Sequence, residues 1–272
     1  MLPHWTEARV TVDGLEFHYI RTGDGNKPPL LLLHGFSDNG LCWLPVARDL
    51  EAQYDVIMPD ARGHGLSARV QPNAQIDNAA DVAGLIVALG VHQPVVGGHS
   101  MGGLTATELG ARYPELIGGL ILEDPGWIDP SPDDVPMREN PFFEWLLKLE
   151  GVSLGEIVAR GKADNPTWSE VEFPAWAESK RQLDKNIFGV VNIHKPWREF
   201  VSAFTVPALL ITADVELNAI VSPALAHEAA SLSPFLQVVP VPNAGHNIRR
   251  ENYPAFMQAL QAFLSPLTFQ HR

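Results

Sequence analysis

The stretch with the most chemistry in it is Gly98-His99-Ser100-Met101-Gly102-Gly103. A serine hydroxyl is a weak nucleophile until a base takes its proton, and the oxyanion it creates needs fixed donors. Ser100 follows a short apolar run, Pro94-Val95-Val96-Gly97, and precedes a segment, 104–109, with apolar residues at helical spacing. That order reads as buried strand, sharp turn and helix. Gly-x-Ser-x-Gly in this setting is a nucleophile elbow, a turn so tight that residues two before and two after the serine crowd each other. It holds the hydroxyl clear of the sheet at a helix N-terminus, where free N–H groups favour negative charge. His99 is beside the serine on the strand and cannot approach its hydroxyl correctly. The base must come from elsewhere in the chain.

The elements that would position this turn follow from pattern. Residues 8–12 and 15–20 alternate around Asp13-Gly14, a hairpin signal. Leu30-Leu31-Leu32-Leu33 is apolar on both faces, as a central parallel strand must be. Helices are expected over 44–50, 76–89, 223–230 and 253–263, and strands over 54–58, 117–122, 207–212 and 236–241. Between the strands at 117–122 and 207–212, residues 126–204 are helical in pattern and hold five of the seven tryptophans. With 272 residues, 46% of them hydrophobic, the chain can bury one large core. A net charge of −13 argues against nucleic acid or an anionic membrane as partner. Cys42 is the only cysteine, so no intrachain disulfide forms. The N-terminal residues lack a signal-peptide pattern and no apolar run is long enough to span a bilayer, so a cytoplasmic protein is expected.

Gly-His-Ser-Met-Gly-Gly, together with His34-Gly35-Phe36, Asp60-Ala61-Arg62-Gly63-His64-Gly65 and Gly245-His246 in that order, resembles the α/β-hydrolase superfamily. The resemblance implies an α/β fold, a mostly parallel central sheet flanked by helices, with an inserted helical cap. The core would be 1–125 and 205–272 and the cap 126–204. It implies His246 as the base, and the backbone N–H groups of Phe36 and Met101 as the oxyanion hole. His34 is expected to brace its loop, and the loop from Asp60 to be pinned by side-chain-to-backbone bonds. The acid that orients His246 has two candidate places. After the strand beginning at Pro207 the family register falls on Glu216, although 217–221 is longer than the usual loop. After the strand before the cap it falls on Asp124. Glu216 is favoured, with Asp214 third.

The activity so implied is a serine hydrolase of the carboxylesterase kind, acting on small-to-medium apolar esters or lactones, with no cofactor and no metal. Trp127, just past Asp124, is expected to line the substrate pocket. Two alternatives remain within the superfamily, a carbon–carbon bond hydrolase and a cofactor-free haloperoxidase-like enzyme. A cap arginine holding a substrate carboxylate would favour the former. Outside catalysis, the fold also serves as a ligand-binding module.

Overall fold

Strands with apolar residues on both faces lie at the centre of the sheet. In the computed structural model, which describes residues 4–72, 74–190 and 194–267, eight strands run in the order β1-β2-β4-β3-β5-β6-β7-β8. They are β1 (Thr6–Val12), β2 (Leu15–Arg21), β3 (Pro29–Leu33), β4 (Asp55–Pro59), β5 (Val95–His99), β6 (Gly119–Glu123), β7 (Ala208–Thr212) and β8 (Leu236–Pro240). β1 and β2 form an antiparallel hairpin in which Val12 faces Leu15. Asp13 and Gly14 both have positive φ, 48° and 78°, the conformation a two-residue hairpin turn needs. β2 meets β4 antiparallel, and every later pairing is parallel.

Strand alternation divides the core between the two faces. Leu31, Leu33, Ile57, Val96, Leu120, Leu122 and Leu210 pack with residues of α2 (Asn78–Ala88) and α3 (Met101–Arg112). Leu30, Leu32, Val56, Met58, Ile121 and Leu209 pack on the other face, with residues of α1 (Leu44–Leu50) and α10 (Tyr253–Leu267). α8 (Pro223–Leu232) joins the first group and the short α9 (Ile248–Glu251) the second.

Between β6 and β7 the chain forms α4 (Pro141–Leu147), α5 (Leu154–Asp164), α6 (Phe173–Gln182) and α7 (Trp197–Ser202). α5 and α6 close a small core of their own around Ile157, Trp168, Phe173 and Trp176. α7 does not belong to it. Trp197 and Val201 pack instead into the main core, beside Trp127 and Phe204.

Buried ion pairs fasten this helical segment to the sheet. Lys180 on α6 donates to Asp38, while Arg250 bridges Asp38 and Glu172 at 2.9 and 3.1 Å. Burial works against the Asp38 charge, but Arg250, Lys180 and Arg249 outweigh it and hold its pKa well below the carboxylate range. Burial also pulls Lys180 below an ordinary lysine, with Asp38 offsetting part of the shift. Such a cluster is costly to break by removing one partner, about 3–5 kcal/mol, and weak as a source of net stability. Among the described residues, no helix is long and apolar enough to cross a membrane.

Candidate active site

Ser100 sits between β5 and α3 with φ 52° and ψ −114°, a strained conformation for a side chain-bearing residue. Three contacts hold it there. Its N–H donates to the Glu123 carbonyl at 3.1 Å, and its own carbonyl accepts from Leu104 and Gly126 at 2.9 and 3.0 Å. The glycines are obligatory: a Cβ on Gly98 would lie 2.2 Å from the Gly102 carbonyl oxygen, and one on Gly102 would lie 2.3 Å from that of Leu33. The second approach brings the first turn of α3 against the end of β3. Gly35 comes close as well, since a Cβ on it would lie 3.5 Å from that of Ser100, so the loop after β3 borders the serine.

Neither the Phe36 nor the Met101 amide takes part in a hydrogen bond among the described residues. Both are free donors, as the oxyanion role requires. His34 does brace this loop. Its Nε2 accepts from the Ala61 amide at 3.0 Å, which leaves Nδ1 to donate to the Gly35 carbonyl at 2.8 Å. The loop behind it is pinned by Asp60, whose carboxylate accepts from the Gly40 and Leu66 amides at 2.7 and 2.8 Å and meets His18 at 2.7 Å. The Phe36 ring stands edge-on to Phe143 and Phe188, with centroids 5.2 and 5.3 Å away.

His246 lies on the loop between β8 and α9, and its Nδ1 is 2.6 Å from Asp124 Oδ2. A carboxylate only accepts, so the hydrogen is assigned to Nδ1 and the neutral ring has its lone pair on Nε2. Asp124 is fully buried just past β6, with φ 36°. Its two oxygens also accept from the Ile220 and Val221 amides at 2.8 and 2.9 Å. The histidine loop is held from further sides. Glu251 accepts from the Gly245 amide, Arg249 pairs with buried Glu123 at 2.9 Å, and His99 Nε2 meets the His246 carbonyl at 2.8 Å. Burial, with Arg249 and His246 nearby, pushes the His99 pKa well below its usual value and keeps that ring a neutral donor.

Two expectations from the sequence need correction. Glu216 does not partner His246: it is exposed on the turn Val215–Leu217, and its side chain makes no hydrogen bond or ion pair among the described residues. Asp214 is engaged elsewhere, accepting from the Asn243 amide at 2.8 Å. The long loop explains the change, because its residues Ile220 and Val221 turn back to supply the donors that Asp124 needs. Trp127 is the second correction. It is 2% exposed, donates from Nε1 to Thr107 on α3 and stacks on Trp197 with centroids 4.8 Å apart. It packs into the main core with Trp197 and does not line a substrate pocket, because its ring is taken up by α3 and α7. His99 has a structural part that its place beside the serine does not suggest, since its ring holds the carbonyl of the histidine loop. Among the described residues, no group of His, Cys, Asp and Glu is arranged to hold a metal.

Fold and strand-end residues together define a hydrolase scaffold, and the chain belongs to the alpha/beta hydrolase family, whose model matches residues 30–259. It is similar to N-formylmaleamate deformylase of Pseudomonas putida, 28% identical over 94% of this chain and 96% of that one. Mouse epoxide hydrolase 4 is 36% identical over 42% of this chain, a match that spans only 33% of that longer protein. Among solved structures, an esterase from Thermogutta terrifontis superposes with a TM-score of 0.72 at 26% identity, covering 97% of this chain and 99% of that one.

Proposed function

We propose that this chain is a serine hydrolase that cleaves small-to-medium apolar carboxylic esters or lactones through an acyl-enzyme. The observation that carries the proposal is the bond from His246 Nδ1 to buried Asp124, which leaves Nε2 as the proton acceptor. Ser100 Oγ attacks the carbonyl carbon as His246 Nε2 takes its proton. The Phe36 and Met101 amides hold the oxyanion, and Asp124 faces the imidazolium. Collapse breaks the C–O bond, and the leaving alcohol receives the proton from Nε2. Water, deprotonated by the same nitrogen, then attacks the acyl-enzyme, releasing the acid and restoring Ser100. No cofactor takes part.

Residues 126–204 act as the helical cap over a core of 1–125 and 205–272, with α5 and α6 around their own small core and α7 packed on the main one. Phe143 and Phe188 beside Phe36 give the site an apolar wall suited to uncharged substrates. Of the arginines on this segment, Arg198 is committed to Asp129 and Glu228 and Arg160 to Asp164. Arg138 and Arg181 of the same segment have no such carboxylate partner among the described residues, so carbon–carbon cleavage stays as an alternative that the substrate series below tests. The near full-length similarity to a deformylase favours one second reading, attack on an N-formyl carbonyl with the amide nitrogen leaving and taking the proton from Nε2.

Labelling by a fluorophosphonate probe tests the serine directly. The wild type should be labelled and Ser100→Ala should not, with ester turnover lost to the same degree. A p-nitrophenyl ester chain-length series, run beside lactones, N-formyl amides and a carboxylated diketone, then separates the readings. Turnover confined to charged amides or to the diketone would overturn the ester proposal. Turnover surviving in Ser100→Ala would overturn them all.

A further inference from the structure

Lys180 reaches from the helical segment into the surroundings of the serine and is not used in the chemistry above. Its side chain is 3% exposed, and its ammonium donates to the Ser37 carbonyl at 3.0 Å, to Ser37 Oγ at 2.9 Å and to Asp38 Oδ1 at 2.7 Å. Three donors thus meet three acceptors, and two of those belong to the residue after Phe36.

Ser37 has φ 65°, in the left-handed region where a non-glycine residue is strained. The Asp38 amide donates to the Gly35 carbonyl at 3.1 Å, closing Gly35-Phe36-Ser37-Asp38 as a β-turn with its left-handed residue in third place. Glycine is the usual occupant of that place in a type II turn. Here a serine fills it, and among the described residues Lys180 is the only hydrogen-bond partner of its carbonyl and hydroxyl. Asp38, by contrast, also faces Arg250 at 2.9 Å and Arg249 at 3.6 Å, so its charge is matched without the lysine.

We propose that Lys180 is a positioning residue for the oxyanion hole, clamping the strained Ser37 turn in the conformation that aims the Phe36 amide at the reacting carbonyl. This rests on the serine-hydrolase reading above. The alternative is a plain staple, in which Lys180 joins α6 to Asp38 and affects stability alone.

The test uses an ester that the wild type turns over. Lys180→Met removes every donor at similar length and should lower kcat about ten- to hundredfold, short of the 10²–10³ typical for outright loss of an oxyanion donor. KM should stay within about twofold, because the amide acts mainly on the transition state. Adding Ser37→Gly to Lys180→Met should restore most of the lost kcat, since glycine holds a left-handed turn without a clamp. Lys180→Gln, which keeps donors on a neutral head, should fall between. A wild-type kcat in Lys180→Met, whatever its melting temperature, would overturn the role, as would a Ser37→Gly that restores nothing. If Lys180→Met does not fold, Lys180→Gln with and without Ser37→Gly makes the same comparison, and equal wild-type kcat in both overturns it. A wild type that neither cleaves an ester nor takes a fluorophosphonate label contradicts the hydrolase reading itself, and the positioning role falls with it. That failure is distinguishable because it appears before any substitution is made.

Discussion

The ends of β6 and β7 are neighbours in one sheet, and each is followed by acidic residues close to the histidine loop, yet their carboxylates have opposite surroundings. Asp124, past β6, is fully buried and meets two amides and the His246 ring. Past β7, Asp214 closes a loop through the Asn243 amide and Glu216 faces solvent. The two ends are linked, since Ile220 and Val221 of the β7 loop are the donors to Asp124. The same loop presses its Leu217 carbonyl onto Gly245, where a Cβ would be 1.9 Å away. An acidic residue becomes a partner for histidine when donors converge on it, and register along one strand does not decide that.

The largest effect that sharpens this contrast is loss of the ring itself. His246→Ala should lower kcat on the order of 10⁴-fold while the fold persists. Adding Asp124→Asn to that variant should cost at most about threefold more, because groups that act as a unit are not additive. A full second loss would mean that Asp124 does not act through His246.

Trp127 separates packing from chemistry at the same strand end, three residues past Asp124. Trp127→Ala should cost about 3–5 kcal/mol in stability, the usual range for a buried tryptophan, with KM nearly unchanged. A large rise in KM with normal stability would return Trp127 to the pocket.

A smaller effect concerns acid. Burial, with His34 nearby, pushes the His64 pKa down to about 3, and burial lowers those of His34 and His99 as well. The unfolded chain binds these protons near the ordinary value of 6.5 and the folded chain does not. The His64 contribution to stability is therefore complete above pH 6.5 and declines as pH falls from there toward 3, and those of His34 and His99 fall in the same sense. His18, whose pKa is raised despite its burial by its bond to Asp60, works in the opposite sense, so the His64→Gln difference isolates one site. That variant should show a flatter fall in melting temperature on acidification; an unchanged slope would count against a neutral buried His64.

What could be read from the sequence was local. The elbow depends on glycines within two residues of Ser100, and the hairpin on Asp13-Gly14, so short windows contain their causes. His246 was legible through resemblance, because its loop follows the last strand. The acid was not, because its environment comes from amides 96 and 97 residues further along the chain. The extra length of 217–221 is visible in the sequence, but its physical effect, to bring the Ile220 and Val221 amides onto Asp124, is not. Trp127 misled for a similar reason: aromatic residues beside a site suggest a pocket, but α3 and α7 take this ring into the core. The partnership of Lys180 with Ser37 joins residues 143 apart and left no trace in either segment.

The most direct measurement of the central claim is Asp124→Asn against Glu216→Gln on one ester, with fluorophosphonate labelling rates taken on the same samples. Asp124→Asn should cost about 10³–10⁴ in kcat, because the imidazolium loses its counter-charge and His246 its fixed tautomer. Glu216→Gln should stay within about twofold of wild type, as a change at an exposed side chain remote from the reacting groups does. The reverse ranking would give the acid's role to Glu216 and contradict the Ser100–His246–Asp124 assignment.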